Sequence, residues 1–341
     1  MKQELGIAVI GCGRIGKTHI EALMDLKRKE GGVRLVATAD PEGDRAEECA
    51  RMFGAEFYDQ DYRKALVHQA VDAVVLALPN HLHAPITIEA AEAGKHILVE
   101  KPMAISTEEA DRMVAAAKNG RVNLMVGQSR RYIKALSTAS ERLDDIGKPF
   151  SSTYVSLMQE KVMPVYWKSK KWSGHLVYSS LGSHTIDYLL WLFRGKKAVR
   201  VYSEGYSNMP ESEGFDEASV VIGFNDGTMA TTALSQNNPG PRIERVSVIG
   251  TKGTMHMEHS FLPPSGGKAM VGSFISKLIL NEKVIWDGIQ EEGPFTLQMK
   301  EFVASIREGR PPLADGRDVR HVMPIIEAAD LSAERHEVIY L

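Results

Sequence analysis

The stretch that most constrains this chain is Leu5 to Gly16, LGIAVIGCGRIG, an apolar run ended by three glycines. Leu5, Ile7, Ala8, Val9 and Ile10 make an almost unbroken hydrophobic segment, as expected of a strand buried on both faces of a parallel sheet. The glycine spacing then assigns each position a role. Gly11 permits the tight turn off the strand, Gly13 lets backbone approach a pyrophosphate, and Gly16 lets the following helix lie against the sheet. That helix, from about Arg14 to Lys29, would aim the free amides of its first turn, with Arg14 and Ile15, at those phosphates. A lone G-x-G-x-x-G is weak, but here a strand precedes it and a helix follows. A second strand, Val33 to Ala39, ends at Asp40, where an acid meets an adenosine ribose. A carboxylate there accepts from the ribose 2′-hydroxyl and repels a 2′-phosphate, favouring NAD over NADP. Two alternatives stay open: Asp40-Pro41 simply starts the next helix, or Arg45 offsets the repulsion and admits NADP.

A chain of 341 residues suits two ordinary domains. Its net charge of −3, with acids and bases interspersed, argues against nucleic acid and anionic membrane as partners. Two cysteines make no disulfide framework, so a reducing, cytoplasmic setting is expected. The first apolar run is too short for a signal peptide, and no stretch approaches the length of a membrane-crossing helix.

From Gly43 onward helix and strand alternate. The pattern predicts helices at Gly43–Phe53, Tyr62–Val67, Ala84–Ala93 and Thr107–Lys118, and strands at Ala55–Tyr58, Val71–Ala77, His96–Glu100 and Asn123–Gly127. Such alternation means right-handed crossovers and a parallel sheet covered on both faces. The fold expected for residues 1–128 is a doubly wound, Rossmann-type dinucleotide-binding domain. Beyond it, Arg131–Ile146 reads as a helix and six strands follow in succession between Phe150 and Glu258. Asn225-Asp226-Gly227 and Thr251-Lys252-Gly253 are hairpin turns, so the strands they join are antiparallel. Residues 129–341 are thus expected to form an α/β domain with an open, mostly antiparallel sheet. Its helices are Ser183–Phe193, Phe295–Glu308 and Arg317–Arg335, Pro263–Gly272 is a loop, and His336–Leu341 is a last strand.

Ligands of an open parallel sheet collect beyond the carboxyl ends of its strands. Three segments fall there: Pro79-Asn80 with His83, Glu100-Lys101-Pro102, and Gln128 through Tyr132. A Lys-Glu pair is ordinarily a solvated surface feature, but this one ends a buried strand. A lysine partly withdrawn from water beside a cationic nicotinamide becomes usable as an acid or base. In the second half, Gly182-Ser183-His184 opens a helix, with Asp187 on the same face. A histidine in that place is commonly structural. Trp167, Lys168, Lys170, Lys171 and Trp172 precede it and could wall a pocket, or form a solvated loop. Arg130 and Arg131 could bind an anion or pair with an acid across the domains. His81, His256 and His259 form no convincing metal set, and no metal is expected.

Taken together, the glycine turn, Asn80 with His83, Glu100-Lys101-Pro102 and Gly182-x-His184-x-x-Asp187 resemble the glucose–fructose oxidoreductase, inositol dehydrogenase and rhizopine-catabolism family, Gfo/Idh/MocA. The resemblance runs over nearly the whole chain. It implies NAD-dependent hydride transfer at a hydroxyl-bearing carbon of a sugar or cyclic polyol, and a homodimer or homotetramer formed through the second sheet. By position it makes Lys101 the catalytic lysine and His184 the active-site histidine, with Glu100, Pro79, Asn80 and His83 lining the nicotinamide. From their own positions, Gln128 beyond its strand end is expected by the cofactor, and Tyr132 and Trp172 by the substrate. The family pattern has an acid four residues before the histidine, where this chain has Ser180; a hydroxyl can orient a neighbour but cannot neutralise charge. Two other readings are NAD-assisted glycoside cleavage by transient oxidation and elimination, and an NAD-binding regulator without turnover.

Overall fold

The computed structural model describes residues 4–159, 165–209, 211–262 and 273–341. The first sheet contains β1 (Leu5–Ile10), β2 (Val33–Ala39), β3 (Phe57–Asp59), β4 (Ala73–Leu76), β5 (His96–Val99) and β6 (Leu124–Val126). All are parallel, in the order β3-β2-β1-β4-β5-β6. Val9, Val36, Val74, Val75, Leu98 and Met125 are fully buried, because crossover helices cover both faces. The order reverses between β1 and β4, and the crevice at that switch point is where such sheets hold ligands.

The second sheet contains β7 (Pro149–Leu157), β8 (Ala198–Tyr206), β9 (Glu217–Phe224), β10 (Met229–Ser235), β11 (Ile243–Gly250), β12 (Gly253–Leu262), β13 (Ser273–Leu280), β14 (Lys283–Ile289) and β15 (Ile339–Tyr340). Their order is β14-β13-β12-β11-β7-β10-β9-β8-β15, antiparallel throughout except for β7 beside β10. Side chains alternate: Tyr154, Ile222, Val246 and Met257 point into the core, which the helices Lys134–Glu141, Ser183–Leu192 and Val322–Arg335 cover, while Val221, Met229 and Ile249 face outward and exposed.

Three expectations from sequence change here. Arg131–Ile146 is not one helix: short 3₁₀ turns at Ser129–Tyr132 and Leu143–Ile146 flank a helix at Lys134–Glu141. Ile133 is extended (φ −76°, ψ 125°) and separates the first turn, from which Arg130 and Arg131 reach two different buried acids, from the helix. Arg317–Arg335 likewise splits into Gly316–Val319 and Val322–Arg335. The hairpin β13–β14 carries no turn signal in the sequence, because its turn is Asn281-Glu282, both in the left-handed region (φ 46° and 66°) without the expected glycine. The loop expected at Pro263–Gly272 lies outside the described residues.

A returning segment ties the late part of the chain to the first sheet. The helix Pro294–Glu308 packs on the helix Arg14–Glu30, and Val126 N donates to Ala314 O at 2.9 Å, so late residues return to finish the first layer.

Candidate active site in the interdomain cleft

The glycine turn is built as its spacing requires. Gly11 has φ +96°, and a Cβ there would lie 2.2 Å from Ala77 O; a Cβ at Gly16 would lie 1.8 Å from Gly11 O. Gly13 differs, since a Cβ there would meet nothing within 4 Å. Open space therefore stands over the one glycine whose backbone should face phosphate, beside helix amides that have no partner within the helix. Asp40 closes the cradle: Oδ2 accepts from Cys12 N at 2.8 Å and Oδ1 from Glu42 N at 2.9 Å. The residues present thus fit a dinucleotide. Arg14 is exposed at the helix start and Ile15 half-buried beside it. Arg45 pairs with Glu42 at 3.0 Å on the surface.

After β4, Pro79 leads into a short 3₁₀ turn, Asn80–Leu82. Asn80 is buried and its Nδ2 donates to Ser173 O at 2.9 Å, tying the first-sheet rim to the second half of the chain. His83 does not offer an atom to a ligand. It is fully buried, with ring nitrogens 2.7 Å from Pro102 O and 3.0 Å from Leu78 O, and burial pushes its pKa down. Its part is to hold two strand ends together.

At the end of β5, Glu100 Oε1 lies 2.8 Å from His19 Nε2 and Oε2 accepts from Lys101 N at 3.1 Å. Burial alone would raise this carboxyl, but the hydrogen bond and charge of His19, then Lys101, hold it below the usual value. Gly127 leaves it room, as a Cβ there would come within 2.9 Å of Oε1. His19, missed from sequence, follows Gly16 by three residues and so faces the sheet. Lys101, joined to Pro102 by a cis peptide bond, sends Nζ to Ser180 O at 3.2 Å and lies 5.6 Å from the Trp167 ring centroid.

Ser180 sits in a π-helical turn, Tyr178–Gly182, that runs into the helix Ser183–Leu192. Turns of this kind expose carbonyls at functional sites. Here the Ser180 carbonyl receives Lys101. One turn later His184 Nδ1 meets Gln128 Oε1 at 3.0 Å, while Gln128 Nε2 donates to Ser183 O at 3.1 Å. Because the Gln128 amide donates one way, its oxygen faces the ring; His184 then carries its proton on Nδ1 and keeps the Nε2 lone pair. Burial, followed by the charges of Arg130 and Lys101, sets the His184 pKa well below its ordinary value. The ring is neutral, with one basic nitrogen.

Other expected residues lie elsewhere. Tyr132 is buried, with its carbonyl accepting from Gln290 Nε2 at 2.9 Å and its hydroxyl without a partner; burial, then Glu301, raises the phenol. It packs toward the helix Pro294–Glu308, away from Lys101. Trp172 is at the rim, ring to ring with His81 at 4.5 Å, and Trp167 takes the place by Lys101. Asp187 does not meet His184: it forms a buried two-pronged pair with Arg131 at 2.6 and 2.9 Å. Arg130 makes the equivalent pair with Glu244, both bonds 2.7 Å, and Arg242 reaches the same carboxylate. Among the described residues, no three His, Cys, Asp or Glu side chains gather as a metal site, and no helix is long and apolar enough to cross a membrane.

Comparison with known proteins agrees with this architecture. Residues 5–128 match the oxidoreductase family model for the NAD-binding Rossmann fold, and residues 141–341 match that family's C-terminal alpha/beta domain. The scyllo-inositol 2-dehydrogenase (NAD(+)) of Bacillus subtilis is 28% identical over 331 residues, covering 93% of this chain and 91% of that protein. The myo-inositol 2-dehydrogenase of Thermotoga maritima is 26% identical over 344 residues, 98% of each chain. A solved levoglucosan dehydrogenase, in complex with NADH and levoglucosan, superimposes with a TM-score of 0.85 at 24% identity over 99% of both chains, a likeness of fold. With both family models matched across nearly its whole length, and a glycine cradle built for the dinucleotide, the chain belongs to the Gfo/Idh/MocA oxidoreductase family.

Proposed function

We propose that this protein oxidises a hydroxyl-bearing carbon of a sugar or cyclic polyol, or reduces the corresponding ketone, with NAD held across residues 1–128 and substrate held by residues 129–341. The observation that carries the reading is that Lys101 Nζ donates to Ser180 O, one turn ahead of His184, so that its charge acts on a ring whose Nε2 is left basic by Gln128. Gly11, Gly13, Gly16 and the first-turn amides would hold the pyrophosphate, Asp40 the adenosine ribose, and Pro79, Asn80 and Glu100 the nicotinamide side. NAD, when bound, supplies the hydride acceptor. His184 Nε2 takes the hydroxyl proton, and the Lys101 ammonium, steadied by the Ser180 carbonyl, donates a hydrogen bond to the same oxygen as its charge develops. Asp40 supports NAD in preference to NADP. The exposed outer face of the second sheet, with Val221, Met229 and Ile249, suits a homodimer or homotetramer, and two buried free thiols suit a reducing cytoplasm.

The test is reduction of NAD and NADP, followed at 340 nm, across a panel of sugars, inositols and their acids and phosphates. Net NADH formation with at least one compound is expected. Cleavage of a glycoside without net NADH, or tight NADH binding with no turnover on any hydroxyl compound, would replace this reading with elimination chemistry or regulation.

A further inference from the structure

The groups that act on His184 through their charge are cations: Arg130, Lys101 and Arg242. The cluster on that side of the cleft is unbalanced. Arg130 and Arg242 share one carboxylate, Glu244, which burial would raise but which the charges of Arg130 and Arg242 hold at about 2. Arg130 is fully committed: Nη1 and Nη2 donate to both Glu244 oxygens at 2.7 Å, and Nη1 also donates to the Tyr154 hydroxyl at 2.8 Å. Arg242 is not. Its Nε and Nη2 both donate to Glu244 Oε1, at 3.1 and 2.6 Å; Nη1 has no hydrogen bond to a described residue, and 33% of the side chain is exposed.

His259 adds no charge. Burial pushes its pKa down to about 3. The Tyr154 hydroxyl, which accepts from Arg130, is left to donate to His259 Nε2 at 2.9 Å, so the ring carries its proton on Nδ1, a buried donor without a partner. Two guanidiniums against one carboxylate, flanked by two neutral imidazoles, leave one positive charge uncompensated among the described residues of the cluster. Arg242, Glu244 and His259 line a groove of about 360 Å³ together with Arg245, Glu258, Lys277 and Asp287, whose charges pair off as Arg245 with Glu258 and Lys277 with Asp287. A guanidinium anchored along one edge and open along the other is already oriented, so it can take an anion at little cost in side-chain freedom.

We propose that Arg242 recognises an anionic group on the substrate, a carboxylate or a phosphate, while the reacting carbinol faces His184. This deepens the dehydrogenase reading and rests on it. Ser180 fits the same picture, since it supplies Lys101 with a carbonyl and adds no negative charge that would repel such a substrate.

The test compares matched compounds in the NAD reduction assay: D-glucose and myo-inositol against D-glucuronate for the carboxylate and D-glucose 6-phosphate for the phosphate. An acidic compound is expected to exceed its neutral counterpart in kcat/KM by tenfold or more. Arg242→Leu should remove that preference by raising KM for the acid, and Arg242→Lys should restore part of it. NADH binding by the same variants, read by fluorescence, reports that they fold. If neutral compounds turn over as well as acidic ones, or the preference survives Arg242→Leu, the proposal fails while the dehydrogenase reading stands. If none of the hydroxyl compounds reduces NAD, it is the dehydrogenase reading that has failed, and this inference goes with it.

Discussion

Gln128 has more influence on the chemistry than its neutral amide suggests, because it selects which nitrogen of His184 carries the proton. Replacing it with Glu would put a carboxylate on Nδ1–H and favour the imidazolium. We therefore expect Gln128→Glu to move the acid limb of the kcat/KM profile to higher pH than in the parent enzyme, where the His184 pKa lies well below its ordinary value. A pH profile unchanged by the substitution would mean that His184 does not take the proton. Lys101→Ala should lower kcat by at least about a hundredfold, the scale of a lost hydrogen-bond donor to a developing oxyanion, with NADH affinity nearly retained in a fluorescence titration. Glu100 and His19 stand behind that lysine as positioning residues. Residue type alone marks neither: Glu100 stands out because it ends a strand, and nothing in the linear pattern marks His19.

Among the elements, the glycine turn separates folding from binding within a few residues. Gly16→Ala drives a methyl into Gly11 O, so the turn between β1 and its helix must distort. We expect a loss of a few kcal/mol, the range for overpacking a close backbone contact, measured by urea unfolding. Gly13→Val adds its side chain to open space. That variant should keep its unfolding midpoint but bind NADH at least about tenfold more weakly, which is about 1.4 kcal/mol. Equal NADH affinity in the Val variant would place the pyrophosphate elsewhere. The π-helical turn Tyr178–Gly182 is the complementary element. It was invisible in YSSLG, since no residue pattern distinguishes that turn from an ordinary helix start, and yet it presents the Ser180 carbonyl to Lys101.

Across the whole molecule, the two halves are joined by a returning helix and by buried hydrogen bonds from Asn80 and Gln128, and buried histidines in both halves make the fold sensitive to acid. His83, His184 and His259 all have pKa values below the ordinary value, with burial the first cause. The unfolded chain takes up protons on these residues below about pH 6.5 while the folded chain does not, so stability is held above that pH and falls as pH drops through it. Each histidine contributes a slope of about 1.4 kcal/mol per pH unit in that window. Thermal unfolding between pH 7 and 5 should show Tm falling, and a flat Tm would mean that these rings are already protonated in the fold. Asp187→Ala, which strands Arg131 in the core, should cost roughly 3–5 kcal/mol, read in the same assay.

Much of the first domain was decided locally. The apolar strands, the glycine spacing, Asp40 at its strand end and the alternation of helix and strand all follow from short-range pattern, because periodicity and backbone freedom act over a few residues. The second sheet was legible as strands and hairpins, apart from the Asn281-Glu282 turn, whose left-handed backbone is formed without glycine. Tertiary structure alone decided the partners: His19 with Glu100 across 81 positions, Gln128 with His184 across 56, and Arg130 with Glu244 across 114. It also turned Tyr132 and His83 inward. The reason is physical: which nitrogen keeps a proton and which guanidinium keeps a free edge depends on what is packed beside it, and linear order does not carry that information.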